Sequence, residues 1–295
     1  MRALVSVLVS ALLLVLTAAA PAAALTIHDM AGRPVTLAGS PRRIVSLVPS
    51  ATEIIFALGA DDRLVGVTDY CDFPAAAKGK PSVGGMVNPS LETIVKLKPE
   101  LVVATREGNR EETFEDLSRL GIPVFLVEAA HVSDVMTVVR RLAELTERTS
   151  AAPAVVAALT RRIDAVRRAV APLRRPRVLY VVWPEPLIVP AREALVTELI
   201  QLAGGDSISA GDRGSYPRFS LESAIARHPE IIVLASHGTG SAVPAREKWE
   251  RFTALAGGRA ARIEIVDGNL LHRYGPRVVD GLEQLARAIH PEAFR

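Results

Sequence analysis

The chain has 295 residues, 49% of them hydrophobic and 23% charged, with a single cysteine. That length buries a large core and favours two compact lobes over one domain, and the hydrophobic content excludes intrinsic disorder. Thirty-five Lys and Arg against thirty-two Asp and Glu leave a formal charge of +3. The balance excludes a phosphate-backbone binder, so no nucleic-acid partner is expected, and one cysteine excludes a disulfide framework or an all-cysteine zinc site.

Residues 1–24 carry one charge, Arg2, then a Leu/Val/Ala run from Ala3 to Leu16 and an Ala22-Ala23-Ala24 exit. This is the pattern of a secretory signal peptide cleaved after Ala24. The apolar run is too short for a membrane anchor, and Pro21 makes a poor membrane exit. The mature chain is therefore expected to be an exported globular protein. Thr26–Asp29 and Pro34–Leu37, flanking Ala31-Gly32, read as a small hairpin.

An N-terminal α/β lobe is expected over 25–149. It opens on a strand at Arg43–Leu47 and closes on one at Gly121–Val127. Residues 150–175 read as one long linking helix, with Val155, Leu159, Ile163, Val166 and Val170 at three- and four-residue spacing. Its arginines form a solvated face rather than a nucleic-acid patch, because Asp164 interrupts them and no aromatics interleave. A C-terminal α/β lobe over 176–295 opens at Arg177–Val181 and closes at Arg262–Val266.

The two lobes are written alike. Ser90-Leu-Glu-Thr-Ile-Val95, leading to Pro99-Glu-Leu-Val-Val103, matches Ser220-Leu-Glu-Ser-Ala-Ile225, leading to Pro229-Glu-Ile-Ile-Val233, at an offset of 130 residues. Each copy has a Ser N-cap, a first-turn Glu, a short helix, a Pro stop and an apolar strand. Alternating strands and helices predict two Rossmann-like parallel-sheet lobes of the α/β class, with a ligand cleft between them. No P-loop, G-x-G-x-x-G, G-x-S-x-G, H-E-x-x-H or C-x-x-C spacing occurs, and the six histidines are dispersed. A binder is favoured over an enzyme, and no catalytic residue, catalytic cofactor or protein metal site is expected.

Arg43-Ile-Val-Ser-Leu-Val-Pro-Ser50, Ala51-Thr-Glu53, Val65-Gly-Val67 and the linking helix together resemble the helical-backbone substrate-binding proteins of ABC importers. That family carries cobalamin, haem and ferric siderophores. Val65-Gly-Val-Thr-Asp-Tyr-Cys-Asp-Phe-Pro74, Asn88–Val95 and Tyr216-Pro-Arg-Phe-Ser-Leu-Glu222 are most similar to its cobalamin-binding members. The resemblance implies a periplasmic monomer that captures a corrinoid and delivers it to a membrane permease with its ATPase. It assigns permease docking to Glu92 and Glu222, one per lobe, and pocket positions to Tyr70, Tyr216 and Arg273. Met86 and Thr105 stand where the cobalamin binders have aromatics. Arg106, Trp183, Phe219 and Tyr274 lie in loops expected to face the cleft. His272 or Tyr274 would serve as an iron ligand only if the ligand were haem. The alternatives are a haem or ferric-siderophore carrier, an exported metal-dependent enzyme, or a signalling or adhesion protein. A single stiff connection predicts small closure on binding, and Cys71 reads as a small apolar residue.

Overall fold

The structure, a computed structural model, describes residues 24–237, 246, 249–250 and 261–294. The leader expected over residues 1–24 lies outside the described residues, apart from Ala24. Strands β1 (Leu25–His28) and β2 (Pro34–Leu37) form the expected antiparallel hairpin and lay Ile27, Val35 and Leu37 on the first core. Its turn is organised by Asp29, whose carboxylate accepts the N–H groups of Ala31 and Arg33.

The first sheet contains β3 (Ile44–Ser46), β4 (Leu64–Val67), β5 (Leu101–Ala104) and β6 (Val124–Leu126). All pairings are parallel, in the order β4-β3-β5-β6. Helices α1 (Pro49–Ala57), α2 (Leu91–Lys96), α3 (Glu111–Arg119) and α4 (Val132–Leu145) occupy the connections and the end of this lobe. Every residue of β3 and β5 is buried, as expected for parallel strands covered on both faces. The strand expected from Gly121 begins at Val124, because Gly121 (φ +72°) closes the preceding helix by donating its N–H to Ser118.

The linking helix, α5, runs from Ala152 to Val170. Pro153 lies in its first turn, where no helical N–H is lost, and Pro172 lies just past its end, where it cannot extend the ladder. Leu159, Ile163, Val166 and Val170 are buried, as their spacing requires. The helix is five residues shorter at its C-terminal end than the expected 150–175 segment, and the chain leaves through Ala171–Leu173.

The second sheet repeats the first. It contains β7 (Arg177–Val181), with a two-residue hairpin of β8 (Trp183–Pro184) and β9 (Leu187–Ile188) beyond it. Helix α6 (Leu195–Leu202), β10 (Asp206–Ser207), α7 (Leu221–Ala226), β11 (Ile231–Ser236) and β12 (Arg262–Asp267) follow. Helices α8 (Gly268–His272) and α9 (Val278–Ile289) complete the lobe. The order β10-β7-β11-β12 is again all-parallel, with the lobe's opening strand in the second place.

The duplicated sequence signature has a physical cause. Ser90 and Ser220 each cap a six-residue helix by accepting a backbone N–H three residues on, at 3.2 and 3.0 Å. After each helix one residue, Lys98 or His228, adopts left-handed φ (46° and 47°). The following Pro-Glu then turns into the strand. Glu100 accepts the N–H of Arg42 at 2.5 Å, and Glu230 accepts that of Arg177 at 2.9 Å. The guanidinium Nε of Arg43 donates to Lys98, and that of Arg177 donates to His228. Each Pro-Glu therefore clamps the opening strand of its lobe to the end of the helix.

Gly204 (φ +82°) packs under the C-terminal segment, where His290 Nε2 donates to its carbonyl at 3.0 Å. A Cβ there would lie 2.8 Å from that nitrogen and 2.9 Å from Val170 Cβ. Gly204→Ala is expected to lower unfolding free energy by about 2–4 kcal/mol, from left-handed strain plus overpacking, as measured by urea denaturation. Cys71 is buried in the first core, 3.2 Å from Thr52 Oγ1 and 3.3 Å from Thr68 Oγ1, and burial pushes its thiol pKa up. The folded protein should therefore leave a thiol-exchange dye unreacted at pH 8, with one thiol per chain appearing on denaturation. Rapid labelling of the native protein would contradict this placement.

Candidate functional site

A cavity of about 540 Å³ lies between the two lobes. Its walls come almost wholly from segments that leave the carboxyl ends of parallel strands, the position at which α/β sheets hold ligands. Val48, Pro49 and Ser50 follow β3, Tyr70 follows β4, and Thr105, Glu107 and Gly108 follow β5. Val127, Glu128 and Ala129 follow β6. From the second lobe come Val182 after β7, Asn269 to Tyr274 around α8, and the loop residues Ser215 and Tyr216. Val138 of α4 supplies part of the floor.

The N-lobe wall is fixed by a buried amide. Asn109 accepts the Thr105 N–H at 2.9 Å and donates to the Met86 carbonyl at 2.8 Å, closing the loop after β5 and tying it to the Met86 loop. A Cβ on Gly108 would meet Met86 Cε at 2.3 Å, so only glycine lets the thioether lie this close. Glu107, next to Gly108, makes no hydrogen bond or ion pair among the described residues, and burial, then Glu128, raises its pKa. Glu128 Oε1 is buried without a hydrogen bond, although Arg106 Nε lies 3.5 Å away as a loose ion-pair partner.

The C-lobe wall is largely aromatic, with Arg273 as its one charged lining residue among the described residues. Tyr216 and Tyr274 share a short hydroxyl–hydroxyl hydrogen bond. Burial pushes the Tyr216 phenol up to about 12 and raises that of Tyr274 as well. Tyr274 sits at φ 51°, a left-handed conformation unusual for an aromatic, at the turn between α8 and α9. Beneath this wall the fully buried Tyr180 lies with its hydroxyl 3.0 Å from His272 Nε2. Burial, with a contribution from His237, holds His272 down at about 3, so its imidazole is neutral around neutral pH.

Across one end of the cleft the lobes are tied by charge. Arg273 Nη1 meets Asp72 Oδ1 at 2.5 Å. Arg277 Nη2 meets Glu53 Oε1 at 2.7 Å, with its guanidinium 4.2 Å over the Phe73 ring. Burial pushes the Asp72 carboxyl up, but the Arg273 hydrogen bond and charge outweigh it and the pKa is lowered.

The sequence-derived positions divide accordingly. Tyr70, Met86, Tyr216, Arg273 and Tyr274 line the cavity, as do Thr105 and His272. Three expected positions do not line it. Phe219 lies against the apolar cluster on one face of the second sheet, its ring covered by the Arg227 guanidinium at 4.9 Å. Trp183, half exposed on the β8–β9 hairpin, stacks against His237 and donates to the Glu185 carbonyl. Arg106 is mostly exposed and lies 3.5 Å from Glu128 without itself lining the cavity. The expected docking residues Glu92 and Glu222 are both exposed in the first turns of α2 and α7, away from the cavity lining, and Glu92 pairs with Lys96 at 2.6 Å. Sequence reasoning missed Glu107, Glu128 and Asn269. The available signal was their place directly after β5, β6 and β12 rather than any motif. Among the described residues no cluster of three or more His, Cys, Asp or Glu has metal-site geometry, and no helix is long and apolar enough to cross a membrane.

This geometry has known counterparts. The vitamin B12-binding protein of Yersinia pestis (strain Pestoides F) is 31% identical over 206 residues, covering 70% of this chain and 73% of that protein. The crystal structure of the periplasmic vitamin B12-binding protein of Vibrio cholerae superposes with a TM-score of 0.73 at 24% identity, over 87% of this chain and 99% of that one. The periplasmic haem-binding protein of Roseiflexus sp. RS-1 in apo form gives 0.74 at 26% identity, over 85% and 99%. Residues 44–264 match the sequence profile described as periplasmic binding protein. With both strand orders, the interlobe cleft and these relatives in agreement, the chain belongs to the periplasmic binding protein family, whose members hold a transported ligand rather than a catalytic cofactor.

Proposed function

We propose that this protein is the extracytoplasmic capture component of an ABC importer for cobalamin or a closely related corrinoid. The observation that carries the reading is the cavity itself. It is lined mainly by apolar atoms, edged by Tyr70, Met86, Tyr216 and Tyr274, and brings no described cluster of metal-ligating groups to its centre. Such a surface suits a large flat chelate that arrives with its metal already satisfied. The relative at 31% identity that is described as binding vitamin B12 supports the same ligand. On this reading the protein performs no chemistry on its cargo. Residues 1–24 export it, and the interlobe ion pairs together with the linking helix keep closure small.

Haem is the second reading, favoured by the Roseiflexus haem-binding protein at comparable similarity. Against it stands the engagement of both expected iron ligands. The Tyr274 hydroxyl is bonded to Tyr216, and His272 Nε2 is bonded to Tyr180.

Titration of purified residues 25–295 with cyanocobalamin and with haemin, followed by visible spectra and calorimetry, decides between them. One-to-one binding of cyanocobalamin is expected. A Soret shift on tight haemin binding, with no heat from cyanocobalamin, would overturn the corrinoid assignment. In docking, Glu92 and Glu222 meet basic residues of the permease, one from each lobe. Replacing both by Lys is expected to abolish uptake in cells while cyanocobalamin affinity changes less than two-fold. A large loss of affinity would place them in the binding site instead.

A further inference from the structure

The cavity has an electrostatic sidedness that neither its shape nor its aromatic rim requires. Two carboxylates, Glu107 and Glu128, stand on the N-lobe wall, while Arg273 is the one cation among the described lining residues. That cation is already committed to Asp72, at 2.5 Å across the cleft. Arg106, the nearest other guanidinium, is mostly exposed at the rim and only loosely paired with Glu128. Glu107 has no partner among the described residues, and its charge reaches both phenols of the opposite wall, Tyr216 and Tyr274. A carboxylate held in a partly dry cleft, beside a second carboxylate, needs hydrogen-bond donors and repels further negative charge.

Resting on the reading of this cleft as a site for a tetrapyrrole-type metal chelate, we propose that Glu107, backed by Glu128, sets the charge of the ligand's rim. The wall accepts a chelate whose side chains are neutral amides and rejects one whose side chains are carboxylates. Amide N–H groups donate to Glu107 and satisfy it, whereas a ligand carboxylate adds like charge with no free cation to receive it. Breaking Arg273 from Asp72 to receive that carboxylate would leave Asp72 only its longer contact with Arg277, at 3.8 Å, and open one of the cross-cleft ties. Selectivity here arises from a repulsive element placed against the wrong ligand, independent of the flat apolar contact that both kinds of chelate make.

The test compares cyanocobalamin with its isomeric monocarboxylic acids, each differing by one amide turned into a carboxylate, on the wild-type protein and on Glu107→Gln. The substitution keeps size and one acceptor oxygen while removing the charge and turning the other oxygen into an amide donor. The wild type is expected to bind at least one of the acids ten-fold or more weaker than cyanocobalamin, and E107Q is expected to reduce that ratio below three-fold. Glu128→Gln should give an intermediate ratio. Equal binding of all the acids by the wild type, or a ratio unchanged in E107Q, would overturn the proposal while leaving corrinoid capture intact. If cyanocobalamin itself does not bind and haemin does, the corrinoid reading falls, and the same ratios are read with haemin against its diamide. A diamide preference that E107Q removes then upholds the role of Glu107, and its absence refutes that role.

Discussion

The two lobes share one structural constraint, a helix pair whose side chains belong to both cores. Helix α4 sends Val132, Val135 and Met136 into the second-lobe cluster, and Val138, Val139, Leu142 and Leu145 into the first. Val155 and Val156 of α5 pack against both clusters at once. Reorienting one lobe against the other therefore disturbs close-packed apolar contacts on both sides, which packing at interior density resists. The clasp is reinforced where Arg162 of α5 grips Glu283 and Asp280 of α9, and where Glu198 of α6 accepts the N–H of Val132 at the start of α4. With the lobes held so, the carboxyl ends of both sheets face one cavity, and the position of every lining loop follows.

The charged ties at the mouth add geometry more than stability. Glu53 is almost wholly buried, yet only one of its oxygens is used. Oε2 has no hydrogen-bond partner, and neither does the buried Nε of Arg277. Burial raises the Glu53 pKa despite the neighbouring guanidinium, which marks desolvation as the larger effect there. Buried pairs of this kind contribute little net free energy, but losing one partner strands the other, so they define a preferred arrangement. Gly275 sits between the lobes at the same point, where a Cβ would lie 3.0 Å from Glu53 Oε2 and 3.2 Å from Ser50 Cα. The left-handed Tyr274 beside it is thus held by close contact with the other lobe, which carries the cost of its backbone conformation.

What the sequence revealed and what it hid differ in physical kind. The duplication was legible because caps, proline stops and strand clamps are local and tied to residue type: Ser90 and Ser220, Pro99 and Pro229, Glu100 and Glu230 each do the same backbone job. The linking helix was legible from periodicity, apart from an end set by Pro172. Side-chain direction in the loops was not legible. Phe219 precedes the Ser220 cap, and its ring turns to the apolar cluster on the sheet face rather than to the cleft. Glu107 sits in the polar run Arg106–Glu112, which reads as a solvated loop. Only the closure of that loop by Asn109, and its position beyond β5, turn the residue toward the cavity.

The duplication is also incomplete in a way that bears on the proposed docking. Glu92 is followed four residues later by Lys96, which neutralises it within its own helix, whereas the position four residues after Glu222 is Ala226. Glu92 and Lys96 are both highly exposed, so their pair is weak and easily opened. Two carboxylates in equivalent first turns thus carry unequal local charge, because Glu92 has a cation one helical turn on and the helix of Glu222 ends without one.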